Sequence, residues 1–414
     1  MRKELAPVAT LLIGVSILLT GQGLQGTLLP VRASLEAFST LAIAVMGAAY
    51  FLGFTVGCIK GGELVKRVGH VRVFLAMTSL ASAVPLLHGM LLDPVTWTLL
   101  RLLTGFCFAV LYLVIESWLN EQSDNASRGI VFSTYVMITL TVFAAGQMMT
   151  LLYDPKGLEL FLIAAVLVSL GAVPVALSES PTPTQPLQVE LNLKRLFEIS
   201  PAGTIGCFAH GVANGAFWSL APVFTLGVSS DPSLAAWFMT SAVAGGAIAQ
   251  WPLGYISDRI GRRKTLACSA VTCAAVAAAI LVLASSASFV AINLLAAAWG
   301  FFAFPLYTIA VAHANDKASV DDYVMVSSGL LLMFGAGAVV GPFIASAVMT
   351  LSGPYGLYWL TAAVHLLLAL YVMLRIVRRP SAPTEQHIAF SDALAITHTA
   401  SHVFEEEIQH KFDD

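Results

Sequence analysis

A few ionisable side chains stand well inside long apolar stretches or near their borders, chief among them Arg101, Glu116, His210, His313, His365 and His88. A charge in such a stretch is costly to hold, so each is a candidate for carrying a proton or contacting a solute. Glu116 is the one carboxylate clearly inside a stretch, and it is the expected proton carrier. It also lies about a turn from the end of its segment, where a structural salt bridge is ordinary, and both readings stand. Arg101 lies near the opposite end of the same segment, where its long stem can reach an interface or pack against a neighbour. His210 lies in mid-segment one turn before Asn214, so a helix puts both on one face. A histidine bonded to a neighbouring helix is the alternative.

A basic loop occurs twice. It reads Gly62-Glu-Leu-Val-Lys66-Arg67-Val-Gly69-His70-Val-Arg72 and, 192 residues later, Gly254-Tyr-Ile-Ser-Asp258-Arg259-Ile-Gly261-Arg262-Arg263-Lys264. Gly62 matches Gly254, Arg67 matches Arg259, Gly69 matches Gly261 and Arg72 matches Lys264. At the same offset, Gln22-Gly23 matches Asn214-Gly215 and Pro30-Val31 matches Pro222-Val223. At an offset of 195, Gly105-Phe106 matches Gly300-Phe301, Leu111-Tyr112 matches Leu306-Tyr307, Asn120 matches Asn315, and Glu121 matches Asp316. Recurrence in register across an apolar chain marks a duplicated unit of the kind that builds transporters.

The elements that must position these groups are membrane helices. Charged residues are 11% and apolar residues 57% of 414, against about a quarter charged in soluble proteins, and the mean hydropathy is +0.82. Crossing a bilayer core takes about 20 apolar residues. Twelve such stretches are expected, at 6–30, 39–59, 71–92, 96–119, 129–152, 157–177, 202–228, 234–256, 264–285, 288–312, 323–350 and 354–377. The fold class is therefore an all-α integral membrane protein with two pseudo-symmetric six-helix bundles, 1–178 and 201–378. Between them, 179–200 is a linker opened by the proline-rich run around Pro181, Pro183 and Pro186. Beyond 378 a polar tail, 379–414, carries His387, His398, His402, His410 and Glu405 to Glu407. Histidines four apart permit a metal site in principle. A cytoplasmic tail explains the same composition, and no metal is expected.

Arg2, Lys3, Lys60 to Arg72, Arg128, Lys194, Arg195, Arg259 to Lys264, Lys317, Arg375, Arg378 and Arg379 all fall on one side of this topology. Only Arg32 and Lys156 fall on the other. Basic residues favour the cytoplasmic face, so both termini are expected there. The start is read as an uncleaved first span rather than a leader. Cys58, Cys107, Cys207, Cys268 and Cys273 lie in or beside spans without disulfide or zinc spacing and are read as packing residues. There is no Walker loop, no Gly-x-Ser-x-Gly and no His-Glu-x-x-His, so ATP-driven transport and the common hydrolases are unsupported. No cofactor and no nucleic-acid partner are expected.

The loop Gly254 to Lys264 resembles the signature that joins spans two to three and eight to nine in the major facilitator superfamily. Arg101-Leu-Leu-Thr-Gly105 is similar to its fourth-span motif. Gly21-Gln22-Gly23-Leu24, Glu116-Ser-Trp-Leu-Asn120 and Phe304-Pro305-Leu-Tyr307 through His313-Ala-Asn315-Asp316 resemble the bacterial YcaD-like branch. The resemblance covers residues 1–378 and implies alternating access, two bundles rocking about a central cavity. It implies a role for Arg101 in proton transfer, giving Glu116, Arg101 and His210 as the proton-coupling set. It also implies that spans one, seven, four and ten line the cavity. Gln22, Gln25, Tyr112, Asn214, Trp218 and Tyr307 are then the expected substrate contacts, and amides and phenols in an apolar wall suit a modest-sized neutral or amphipathic organic solute. Interhelical hydrogen bonding is their alternative role.

Gly62, Lys66, Arg67, Gly69, Arg72, Glu121, Gly254, Asp258, Arg259, Gly261, Arg263 and Asp316 form the expected cytoplasmic gate. In it, Asp258 and Asp316 pair with Arg259 or Arg263, and Glu116 or Glu121 with Arg67 or Arg72. Lys66 departs from the superfamily pattern, which has an aspartate there, and Gly146-Gln147 stands where the second half has Gly341-Pro342, without the antiporter glycine-proline. The expected function is secondary active transport of a small organic solute by a proton-coupled monomer, with export by exchange favoured over uptake. A sensor or scaffold that keeps the transporter fold is the alternative.

Overall fold

The structure, a computed structural model, describes residues 8–123, 128–177, 192–319 and 322–378. The histidine-rich tail and the proline-rich start of the linker lie outside the described residues. Every regular element among those described is helical, as lipid requires of a chain with no water to satisfy its backbone. The long helices are α1 (Ala9–Leu35), α2 (Thr40–Val68), α3 (His70–Met90), α4 (Pro94–Glu121), α5 (Arg128–Met148), α6 (Glu159–Ala176), α7 (Pro201–Val228), α8 (Ser233–Ile260), α9 (Arg262–Leu283), α10 (Phe289–Asn315), α11 (Tyr323–Ser352) and α12 (Gly356–Arg378). Helices α6 and α10 are each broken once, before Ala172 and at Phe304 respectively. A short helix, Leu193–Ile199, precedes α7.

Among the described residues, ten stretches are long and apolar enough to cross a membrane. One of them, Met325–Arg378, runs through both α11 and α12, while α8, though 28 residues long, is not among the ten. Helix starts are written in the sequence. Ser39 and Asp93 accept hydrogen bonds from Ala42 N (3.1 Å) and Thr96 N (2.7 Å), and Pro94 follows at the first turn of α4. Ser200 caps α7 in the same way, ahead of Pro201.

The repeated loop has a simple backbone cause. Gly69 and Gly261 are each the whole connection between two helices, ending one and starting the next, at φ +94 and +97. A Cβ there would meet nothing within 4 Å, so conformation rather than space demands glycine.

The duplication also recurs in how helices touch. A Cβ on Gly53 would lie 1.9 Å from Leu102 O and one on Gly105 2.0 Å from Tyr50 O, which locks α2 against α4. Their repeats Gly245 and Gly300 meet Ala297 O (1.9 Å) and Ala242 O (2.0 Å) between α8 and α10. Gly23 and Gly146 do the same between α1 and α5, and Gly215 and Gly341 between α7 and α11. Small residues thus bring backbones to close approach inside each of two related bundles, α1–α6 and α7–α12.

The cores are distributed unequally. Away from the basic loops, one continuous cluster joins both bundles, from Leu28, Ile43 and Trp97 of the first to Phe217, Phe224 and Phe238 of the second. On the basic-loop side the buried cores are separate. Val65, Phe74, Trp118 and Leu119 belong to a cluster of the first bundle, and Leu266, Ile309, Val326 and Leu368 to one of the second. Phe51 of α2 is a partly buried side chain that crosses to the latter.

Candidate functional site

Between the bundles lies a cavity of about 360 Å³. Its wall brings together all nine residues expected from sequence to contact solute or proton: Gln22, Gln25, Arg101, Tyr112, Glu116, His210, Asn214, Trp218 and Tyr307. They come from α1, α4, α7 and α10. Sequence reasoning missed the contributions of α2, α5, α8 and α11: Tyr50, Phe54, Tyr135, Thr139, Phe143, Gln250 and Phe334. A phenol or an amide in an otherwise aliphatic segment was the available signal for Tyr50, Tyr135 and Gln250. The phenylalanines carried none, because an apolar ring suits core, lipid and cavity alike.

Gln22 is a tie between helices. Its amide donates to the Tyr50 hydroxyl and its carbonyl accepts from the Tyr112 hydroxyl, both at 2.8 Å. With both ends engaged it fixes Tyr50, over whose ring the Arg101 guanidinium lies 4.2 Å from the centroid. Gln25 differs. Its amide donates to Gly21 O at 3.3 Å, while Oε1, in a side chain only 2% exposed, has no partner among the described residues. Ser219 Oγ and Gln250 Oε1 are likewise unsatisfied. Buried polar atoms are nearly always bonded, so this wall offers hydrogen bonds to whatever enters.

Glu116 is buried on the cavity wall, with the Tyr135 hydroxyl as an electrostatic neighbour. His210 shares a 3.3 Å hydrogen bond with Asn214, with which its four-residue spacing puts it on one helix face. Its ring stacks on Phe334 (centroids 5.6 Å apart) and lies 6.0 Å from that of Tyr307. Trp218 stacks on Phe304 and meets Phe143 of the other bundle edge-on at 5.4 Å. Thr240 of α8 bonds Gln147 Oε1 and Ala144 O of α5, both at 3.4 Å.

The charges of the basic loops are arranged differently from the expected gate. Arg262, outside the expected set, is the cation that holds both aspartates: Nε bonds Asp316 at 3.2 Å and Nη1 bonds Asp258 and Ser257. Arg259 instead lies over the Tyr255 ring at 4.2 Å, and Arg263 reaches Arg375 O of α12 at 3.4 Å. The reason is helix phase. Gly261 resets the backbone, so Arg262 opens α9 facing back toward α8 and α10 while Arg259, still on α8, points outward. The clamp lies wholly within the second bundle. In the first, Glu116 faces the cavity, and Lys66, Arg67 and Arg72 are exposed and make no ion pair among the described residues, so the expected pairing of Arg67 or Arg72 with Glu116 or Glu121 does not form in this conformation. By register His70 occupies the place of Arg262, and Lys66 that of Asp258. At the far side, Arg32 is buried, donating to Pro155 O at 3.0 Å and ion-paired with Glu36 at 2.9 Å.

Comparison with known proteins fits this geometry. The model of the Major Facilitator Superfamily matches residues 203–406. A protein of Escherichia fergusonii named as an uncharacterized MFS-type transporter, YcaD, is 25% identical over 379 residues, covering 91% of this chain and 97% of the relative. An uncharacterized MFS-type transporter of Yersinia pestis is 26% identical over 348 residues, 83% of this chain and 89% of its own. Among solved structures, the nucleoside transporter NupG aligns with a TM-score of 0.76 at 13% identity, over 90% of this chain and all of its own. A bacterial homologue of the lysosomal transporter Spinster, in an inward-facing and occupied conformation, aligns at 0.72 and 14% identity over 92% of this chain and 97% of its own.

Proposed function

We propose that this chain, which has the major facilitator superfamily fold and resembles the YcaD-type transporters along most of its length, is a secondary transporter of a small organic solute. One observation carries the reading. The cavity is sealed on one side by a core made of both bundles, and flanked on the other by two separate cores. A rocking motion need only exchange which side is joined for the cavity to change access, and packed interfaces are bistable in this way.

In this reading 1–178 and 201–378 are the rocking units and 179–200 the linker. The spans number twelve, and the basic side is the cytoplasmic side of a bacterial inner membrane, with both termini there. The conformation is then inward-open. Glu116 is the proton carrier, aided by Arg101 and His210, and exchange outward of solute for inward protons is the favoured direction, by a monomer. The loops around Gly69 and Gly261 close the mouth when the cavity faces outward.

The test has two parts. In a variant free of the five native cysteines, Thr139→Cys or Thr308→Cys is labelled with a membrane-impermeant maleimide from each side. Labelling from the basic-loop side at rest, and from the far side after crosslinking the basic loops, supports access switching. Labelling from one side only, under both conditions, favours a fixed sensor or scaffold. Proteoliposomes with an internal pH dye then compare wild type with Glu116→Gln across solute pools. Solute-driven proton flux that persists in the variant removes Glu116 as carrier.

A further inference from the structure

Among the described residues Arg101 is a cation without an anion. It lines the cavity with its guanidinium carbon 4.2 Å from the centroid of the Tyr50 ring, no carboxylate of those residues pairs with it, and none of them accepts from its N–H groups. Its electrostatic neighbours are Tyr50 and His88, and neither brings a negative charge. The His88 ring packs against Trp97 at 5.0 Å, and its Nδ1 shares a 3.0 Å hydrogen bond with Val84 O. A buried or half-buried charge is usually paired, and a guanidinium held over a ring with no acceptor on its N–H groups keeps its planar fork of donors for a carboxylate.

Resting on the transporter reading, we propose that the solute is an aromatic monocarboxylate whose carboxylate binds the open edge of Arg101. Its ring lies among Phe54, Phe108, Phe143 and Phe334, and a polar substituent meets Gln25 Oε1 or Gln250 Oε1. Charge count and distance narrow the class. One arginine matches one carboxylate, whereas a phosphate or dicarboxylate calls for further cations. The carboxylate Glu116 lies fifteen residues along α4 from Arg101, roughly 22 Å at 1.5 Å per residue. The adjacent ammonium and carboxylate of an α-amino acid cannot span that gap, so a zwitterion would leave its ammonium against apolar rings. A cation has nothing to meet at Arg101. Gln22 is a positioning residue here, holding the Tyr50 ring on which Arg101 rests.

The test uses the full chain in lipid nanodiscs, with benzoate, 3-phenylpropionate and indole-3-acetate, each beside its neutral amide and with phenethylamine as the cation. Binding is read by thermal stabilisation. Expected is stabilisation by at least one carboxylate and not by its amide or the amine. Arg101→Gln weakens that binding about 10- to 100-fold, the value of a charge-assisted contact, Arg101→Lys weakens it less, and Arg195→Gln leaves it unchanged. Circular dichroism and size exclusion confirm that each variant is folded. Equal binding of the amide or amine, binding indifferent to Arg101, or binding of none of the carboxylates overturns the proposal. None of those outcomes bears on the transporter reading, because the accessibility switch is measured without any solute.

Discussion

Arg262 is the residue whose loss should damage this protein most for the fewest atoms removed. Its guanidinium and the Asp316 carboxylate are each only 2% exposed, whereas Asp258, its other partner, is 39% exposed. In Arg262→Met the Asp316 carboxylate stays buried and loses the Arg262 guanidinium, and breaking a buried pair from one side costs about 3–5 kcal/mol. The Asp258 contact is screened by solvent and contributes about 1 kcal/mol or less. The expected order of destabilisation is therefore Arg262→Met, then Asp316→Asn, then Asp258→Asn. Asp316→Asn is milder because Arg262 keeps Asp258. Arg262→Met with Asp316→Asn should recover most of the loss, since no uncompensated charge remains.

The assay is thermal unfolding of the purified protein in detergent, followed by tryptophan fluorescence. For a cooperative unit of one bundle's size the midpoint moves by about 2–4 °C per kcal/mol. Arg262→Met should then fall by about 10 °C and Asp258→Asn by no more than about 4 °C. High salt should leave the Arg262→Met deficit in place, as a pair shut off from solvent is weakly screened. An Arg262→Met midpoint within about 2 °C of wild type, or a double variant whose loss is the sum of the singles, would refute the buried clamp.

Three further outcomes test the scaffold that places the cavity. Gly53→Ala and Gly245→Ala each drive a Cβ to 1.9 Å from a backbone carbonyl, so both should cut the monodisperse fraction in size exclusion, while Gly26→Ala, whose Cβ meets only the Phe143 ring at 3.6 Å, should not. Gly69→Ala and Gly261→Ala put a side chain at φ +94 and +97 and should each cost about 1–3 kcal/mol of stability in the same unfolding assay. At the linker, the Ser319 hydroxyl and the Arg195 guanidinium hold the Asp322 carboxyl below its ordinary value. A lowered carboxyl stabilises above the unfolded-chain value of about 3.9 and loses that stabilisation as pH falls through its folded value. Pepsin cleavage beside Phe197 should accordingly rise faster with acidification in wild type than in Asp322→Asn, and equal slopes would count against the tether.

What the sequence disclosed and what it hid divide along one physical line. Glycine constraints are local, so the Gly69 and Gly261 turns and the matched glycines Gly23, Gly105, Gly215 and Gly300 were legible as a duplication before any helix was placed. Polar groups in apolar segments were legible too, because lipid offers them nothing and the cavity is where they can go; hence Gln22, Gln25 and Asn214. Facing was not legible where the helix breaks. Spacing rules assume one continuous phase, and Gly261 interrupts it, so Arg259 and Arg263 looked like the partners of Asp258 and Asp316 while Arg262 held both. The same reasoning applies to Glu116. Its distance from the end of α4 suggested a loop salt bridge, but its angular position, fixed by the Gly53 and Gly105 contacts with α2, turns it to the cavity and Tyr135.

The departure at Lys66 takes on a different meaning once the second loop is seen in three dimensions. Asp258, Arg262 and Asp316 act together, and their register partners are Lys66, His70 and Glu121. Two of the three differ in kind, so what remains of the clamp in the first bundle is the weaker pairing of His70 with Glu121. His70 is buried with its ring 6.2 Å from that of Trp118 and has Glu121 as its electrostatic neighbour, where the second bundle holds a buried guanidinium–carboxylate pair. The consequence is mechanical. The α8–α9 turn is tied to α10 by a buried ion pair and to α12 through Arg263, whereas Lys66, Arg67 and Arg72 beside the α2–α3 turn stay exposed and make no ion pair among the described residues. Elements with fewer buried polar ties open at lower free energy. Amide exchange should therefore be faster at residues 66–72 than at 258–264, and Arg262→Met should bring the second turn to the rate of the first.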